Sequence, residues 1–232
     1  MDALRIKTLF PVNLKNMMGN KALSRWVTLF CGMACVASGI ALTTRAGIGT
    51  TPLSSVPYSL TFVTPYSFGE LTIAMNVLFF FVQWALLGSR FRLRLNLLQV
   101  PLVLVFGFFI DAAMWVLSFV APEAYGARLV QNTAGSALLA LGIVLEVASF
   151  TTSLPGDGVV IAASMAFHKP FPRVKFTYDW TLVLTAAAIG LIFLGHPEGI
   201  REGTVLSAIT TGIFVKLWQK FPPLQRLKER NG

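Results

Sequence analysis

The chain has 232 residues, of which 55% are hydrophobic and 12% charged, with a mean hydropathy of +0.68 and a net charge of +9. Soluble domains carry about a quarter charged residues, so this composition excludes a water-soluble enzyme or nucleic-acid-binding module and reads as an integral membrane protein. The apolar runs are long and lack the alternation of barrel strands, which makes the expected fold class an all-α polytopic membrane protein.

Residues 1–26 form a basic tail with scattered apolar positions (Leu4, Ile6, Leu9, Phe10), expected either to lie along the membrane surface or to be a disordered leader. The first span is expected over 27–44, where Gly32, Ala34, Ala37, Ser38 and Gly39 let another helix approach closely. Cys31 and Cys35 stand one turn apart in this span, and neither a disulfide nor a metal site is expected there. Ala46-Gly47-Ile48-Gly49-Thr50-Thr51-Pro52 then breaks the helix. A half-helix is expected over 52–63, with Thr51 as N-cap and Pro52 at its first position. It covers only about 18 Å of a hydrocarbon core of about 30 Å. A span over 68–88 ends at the basic loop Ser89-Arg90-Phe91-Arg92-Leu93-Arg94, and 95–120 is the longest apolar run, with Pro101 near its start and Asp111 inside it.

After a connection at 121–130 the order recurs: a span over 132–150, a second break at Ser153-Leu154-Pro155-Gly156-Asp157-Gly158, a half-helix over 158–167, a basic loop, and spans over 177–195 and 203–218. The expected organisation is therefore two membrane repeats, 27–120 and 121–219, each with three spanning helices and one short broken or re-entrant half-helix, followed by a basic tail over 220–232. The halves share short echoes, Val36-Ala37-Ser38 with Val147-Ala148-Ser149 and Leu87-Gly88 with Leu194-Gly195. The alternative is eight spans, four in each half. With re-entrant segments, 16 of the 19 Lys and Arg residues fall on one side and only Arg45, Arg128 and Arg201 on the other, whereas eight crossings split them 14 to 5. Charge asymmetry and segment length both favour six spans with both termini cytoplasmic. Trp84, Trp115, Trp180 and Trp218 fall near span ends, as in an interfacial belt.

No catalytic constellation is present: His168 and His196 lie far apart, and no motif surrounds a serine or cysteine nucleophile. No enzyme activity, cofactor, metal or nucleic acid is expected; the expected partners are the lipid bilayer and an unidentified small molecule, with homo-oligomerisation left open. Ionisable residues inside apolar spans usually face a cavity or a partner. Asp111 and Glu146 qualify, each suited to binding a cation, carrying a proton, or pairing with a buried donor such as Asn76 or Gln83. Asp179, beside Arg173 and Lys175, reads as a structural ion pair. At each break the restarted half-helix offers N–H groups and a positive dipole end to an anion, while carbonyls before it suit a cation. Thr50, Thr51, Ser54 and Ser55 add hydroxyls at the first break; Asp157 at the second either caps its own helix or attracts an ammonium or proton. The candidate substrate- or ion-binding set is Gly49, Thr50, Thr51, Ser54, Asp111, Glu146, Gly156, Asp157 and Gly158. These features predict a secondary transporter of a small polar metabolite. The alternative is a non-transporting membrane partner, a scaffold, or the substrate-binding subunit of a larger importer.

Gly47-Ile48-Gly49-Thr50-Thr51-Pro52-Leu53-Ser54, then Leu98-Gln99-Val100-Pro101 leading to Phe106-Gly107-Phe108-Phe109-Ile110-Asp111, and Pro155-Gly156-Asp157-Gly158 followed by Arg173 together resemble the YczE/YyaS/YitT-type bacterial inner-membrane proteins. The resemblance covers nearly the whole chain outside the tails. It implies a multi-pass protein of the bacterial inner membrane, grouped with transporters but without an agreed substrate. Some members lie beside regulators that bind pyridoxal phosphate, which implies vitamin B6-related or amine substrates. Gly199-Ile200-Arg201-Glu202-Gly203-Thr204 departs from the Gly-Ile-Gly-Thr-like turn expected at that place.

Overall fold

Every regular element among the described residues of the computed structural model, 21–91, 93–152 and 154–231, is a helix. The surface or leader segment expected over 1–26 lies outside the described residues as far as residue 20, as do Arg92 of the basic loop and Ser153 of the second break. In chain order the helices are α1 (Ala22–Arg45), a 3-10 turn (Pro52–Ser54) running into α2 (Ser55–Thr61), α3 (Phe68–Leu87), the one-turn α4 (Leu93–Asn96), α5 (Gln99–Val116), α6 (Tyr125–Ser149), α7 (Pro155–Ala166), α8 (Phe171–Leu194), α9 (Glu202–Gln219) and α10 (Pro222–Asn231).

Among the described residues, five helices are long and apolar enough to cross a membrane: α1, α3 with the turn after it, α5, α6 and α8. The expected sixth span forms α9, 18 residues long, but Thr204, Ser207, Thr210, Thr211 and Lys216 dilute its apolar surface and it is not among the five. Several boundaries differ from expectation for local reasons. The long run over 95–120 is divided, and α5 begins at Gln99, which puts Pro101 in the first turn, where a missing N–H breaks no helical bond. The second half-helix begins at Pro155 rather than at 158, because the extended Leu154 serves as N-cap and proline suits the first position. At the tails, α1 already begins at Ala22, and the stretch expected as a basic tail carries α10, whose Asn231 is buried.

The centre of the bundle is the pair α1 and α6, which run antiparallel with their backbones nearly touching. A Cβ on Gly39 would lie 2.5 Å from the Leu139 nitrogen, and one on Gly142 2.6 Å from the Gly32 oxygen. In lipid, where burial gives helices no hydrophobic drive to associate, such close backbone packing replaces it. α5 joins this pair through Leu102, Phe106 and Ile110, which pack with Leu29, Met33, Val36, Ile40 and Leu139.

Contacts fix the chain directions. At one end Arg45 Nη2 donates to Met114 O at 2.7 Å and Gln131 Nε2 donates to Leu42 O at 3.1 Å, so α1 and α5 finish where α6 starts. At the opposite end Arg25 Nε donates to Asn231 O at 2.7 Å and Asn231 Nδ2 donates to Ala148 O at 3.1 Å, which joins α10 to the start of α1 and the end of α6. The half-helix α2 stays at the Arg45 end, where Ser59 Oγ donates to Glu198 O at 3.1 Å. α7, between the finish of α6 and the start of α8, belongs to the Arg25 end. Each half-helix packs on a long helix from the other part of the chain, α2 on α8 and α7 on α3. All four meet at Val56, Phe79, Val159, Leu182 and Ala186.

Helix starts recur at one spacing. Ala22 and Tyr125, Pro52 and Pro155, Phe68 and Phe171, and Gln99 and Glu202 are each 103 residues apart. At that spacing Gly32 falls on Gly135 and Gly39 on Gly142, and their contacts mirror one another: Gly32 lies against Gly142 and Glu146, Gly135 against Gly39 and Thr43. The echoes noted in the sequence do not fall on this spacing.

Candidate functional site

The first hinge begins where Gly47 (φ 68°) and Gly49 (φ 122°) turn the chain out of α1 through backbone conformations that side chains with a Cβ rarely adopt. Gly49 is also required by proximity, since a Cβ there would lie 2.4 Å from Thr204 Oγ1. The first turn of α9 then closes over the hinge. Gly203 N–H donates to Ile48 O at 2.8 Å, Thr50 N–H to Thr204 Oγ1 at 3.3 Å, and Ser207 Oγ to Thr50 O at 3.2 Å. Thr44 and Thr50 hydroxyls share a bond of 2.8 Å, and Ser55 Oγ donates to Pro52 O at 2.7 Å. Thr51 stands at the N-cap with extended backbone, as expected, but its hydroxyl makes no capping bond. Ser54 is buried, its N–H given to Thr51 O at 3.1 Å. Three arginines lie nearby: Arg201 Nη1 donates to Gly47 O at 3.4 Å while its Nη2 pairs with Glu202 at 3.4 Å, Arg128 packs beside Gly47, and Arg45 closes α1.

Asp111 belongs to neither hinge. Its Oδ2 accepts from Ser67 Oγ at 2.6 Å and its Oδ1 from Gly69 N–H at 2.7 Å, so it caps the start of α3 from across the bundle. Ser67 and Glu70 form a capping box at the same turn, and together these groups satisfy the exposed donors of a helix beginning within the bundle.

The second hinge begins at Phe150, whose left-handed backbone (φ 52°) occupies the place that Gly47 holds 103 residues earlier. Ser149 Oγ bonds Thr151 Oγ1 at 2.7 Å and donates to the Glu146 backbone carbonyl at 2.6 Å. α3 holds the restarted helix. Gly156 N–H donates to Asn76 Oδ1 at 3.2 Å, and Gln83 Nε2 donates to Pro155 O at 3.1 Å. Gly158 allows this approach, because a Cβ there would lie 2.4 Å from Gln83 Oε1.

Asp157 is the third residue of α7, an acid in its first turn, with Leu154 at the N-cap. It is half-buried. Glu146 is only 9% exposed and its Oε1 has no hydrogen-bond partner. The Tyr178 hydroxyl is likewise buried and unpartnered, while its ring packs on Phe79 at 5.7 Å between centroids. Asp179 accepts from Lys175 Nζ at 2.7 Å, the ion pair expected from their spacing. Among the described residues, no Lys, Arg or His lies within ion-pair distance of Glu146 or Asp157.

The fold thus places Gly156, Asp157 and Gly158 together in the first turn of α7, sets Glu146 near the end of α6 against Gly32 of α1, joins Gly49, Thr50, Thr51 and Ser54 at the first hinge, and leaves Asp111 apart. No curated protein and no solved structure matches the chain. The chain belongs to the family of unknown function DUF6198, whose family model matches residues 23–220, from the second residue of α1 to the residue after α9.

Proposed function

We propose that the protein is a secondary transporter of a small polar metabolite, built from two inverted halves of three crossings and one re-entrant half-helix each. The observation that carries this reading is the placement of α2 and α7. They enter from opposite ends, each rests on a long helix of the other half, and Val56 and Val159 belong to one apolar cluster with Phe79, Leu182 and Ala186. Interrupted helices at a repeat interface are a recurrent way to line a substrate site at the bilayer midplane, with alternating access by rocking of one half against the other. The antiparallel course of α1 and α6 supports three crossings per half, since four would make them parallel. The 103-residue spacing supports α9 as the counterpart of α5 and so as the sixth crossing; at 18 residues it extends about 27 Å.

On this reading the Arg25 end, with both basic tails and loops, faces the cytoplasm of a bacterial inner membrane, in line with the family resemblance noted above. The second hinge, with Glu146, Gly156, Asp157 and Gly158, binds substrate. The first hinge, with Gly49, Thr50, Thr51 and Ser54, is the pivot on which the halves move.

The test is a melting-temperature screen of the purified protein against B6 vitamers, amines and small organic anions, followed by counterflow exchange of any hit in proteoliposomes. A ligand at a hundred times its dissociation constant adds about 2.7 kcal/mol to the native state. The expected result is a stabilising hit that exchanges across the bilayer through the native protein but not through Asp157→Asn. A hit that binds and never exchanges contradicts transport.

A further inference from the structure

α10 touches the bundle on one face. Leu224 and Leu227 are half-buried and Asn231 is buried, at i, i+3 and i+7, while Arg226, Lys228, Glu229 and Arg230 are exposed. The inward face thus ends on an amide, and both polar atoms of that side chain are bonded. Ser24 Oγ donates to Asn231 Oδ1 at 2.9 Å, and Asn231 Nδ2 donates to Ala148 O at 3.1 Å and to Thr28 Oγ1 at 3.3 Å. The Arg25 guanidinium holds the Asn231 carbonyl from both Nε and Nη2, and Arg230 Nη2 donates to Ser24 Oγ at 2.7 Å. These contacts join the two halves, since Ser24, Arg25 and Thr28 belong to α1 and Ala148 to α6. The glycine contacts of the α1–α6 seam reach only to Gly32, whose Cβ would lie 2.9 Å from the Glu146 nitrogen, one turn short of Thr28. Beyond that point Asn231 closes the seam at Ala148, two residues before Phe150 turns the chain into the second hinge.

The opposite end of the seam is closed differently. The residue 103 positions after Thr28 is Gln131, and its own amide reaches across to Leu42 O at 3.1 Å. At the Arg25 end the side chain at that place is too short to cross, and α10 supplies the amide instead. One end is therefore tied by a residue fixed in the seam, the other by a separate short helix whose hydrogen bonds can each be exchanged for one to water at small net cost. Rocking of one half against the other parts the seam at the end that opens. Building on the transporter reading, we infer that α10 is a latch: Asn231 shuts the cytoplasmic end of the α1–α6 seam beside the second hinge and withdraws when the site opens to that side.

The test uses the full chain with Cys31→Ser and Cys35→Ser and with Thr28→Cys as reporter, probed in inverted vesicles with a membrane-impermeant thiol reagent. Thr28 is 6% exposed and bonded to Asn231, so a thiol there reacts when the latch is away. Asn231→Ala, which removes the amide, should raise the labelling rate about 10-fold, the size of one net hydrogen bond. Glu229→Gln, on the exposed face of α10, should leave it unchanged. The melting temperature should hold in both, because release of one short helix is a local opening. Equal labelling with and without the amide, or faster labelling that follows a fall in melting temperature, overturns the latch. A second arm bridges Ser24→Cys to Asn231→Cys with a short bifunctional thiol reagent and follows counterflow of pyridoxine, methylamine and acetate in proteoliposomes. The bridge should stop exchange and reduction restore it; exchange unchanged by the bridge overturns the latch. If Asn231→Ala exposes Thr28→Cys as stated and none of the three exchanges even without the bridge, the latch stands and transport falls. If one exchanges while labelling is equal, transport stands and the latch falls.

Discussion

The two hinges occupy corresponding places, 103 residues apart, yet they are built to opposite ends. The first is clasped: α9 supplies Gly203, Thr204 and Ser207 to the backbone of Ile48 and Thr50, and arginines surround the turn. The second is held differently: α3 fixes the helix start through Asn76 and Gln83, Asp157 stands in the first turn, and Glu146 Oε1, near the end of the preceding helix, keeps no hydrogen-bond partner. Ionisable groups inside membranes usually face a partner or a cavity, so on the proposed reading the first hinge is a structural joint and the second a binding site.

The largest effects should come from the seam that both hinges hang on. Gly39→Leu or Gly142→Leu would force a side chain into backbone at 2.5–2.6 Å. We expect a loss of at least about 3 kcal/mol, read as failure to recover monodisperse protein in detergent. Next come paired variants that set one hinge against the other. Thr204→Val leaves the buried Thr50 N–H unsatisfied and should cost about 1–3 kcal/mol by thermal unfolding while ligand affinity stays unchanged. Asp157→Asn should do the reverse, removing ligand binding while the melting temperature holds. If Thr204→Val weakens binding as strongly as Asp157→Asn does, the two hinges form one site and the division fails. The smallest effect belongs to Asp111→Asn, which keeps an acceptor for Gly69 N–H and exchanges one capping bond; about 1 kcal/mol of stability and no change in ligand affinity are expected. A loss of affinity there would return Asp111 to the site.

Much of the architecture was legible in the residues. Pro52 restarts a helix where proline at a first position belongs, Pro155 does so three residues before the start expected at 158, and the small residues from Gly32 to Gly39 do make a close helix contact. Short echoes such as Val36-Ala37-Ser38 with Val147-Ala148-Ser149 do not share the 103-residue spacing of the helix starts, since membrane helices draw on few residue types and such echoes arise by chance. The roles of the acids were only partly readable. Asp111 and Glu146 look alike in sequence, each a lone acid in an apolar run, and what distinguishes them lies across the bundle: Asp111 meets the start of α3, whereas no donor faces Glu146 Oε1. Nothing in local sequence carries that information. The clasp on the first hinge was hidden for the same reason, since the segment from Gly199 to Thr204 looked like a departure from an expected turn and serves instead as the partner of that turn.

The inverted arrangement itself is tested most directly by sidedness. In a background with Cys31→Ser and Cys35→Ser, single cysteines at Tyr66 and Phe167, both exposed just beyond α2 and α7, would be probed in intact cells and in inverted vesicles with a membrane-impermeant thiol reagent. The account predicts opposite sides, Tyr66→Cys labelled from outside the cell and Phe167→Cys only from the cytoplasmic face. Labelling of both from the same side would mean that the half-helices cross the membrane, that the halves are parallel, and that the account is wrong at its centre.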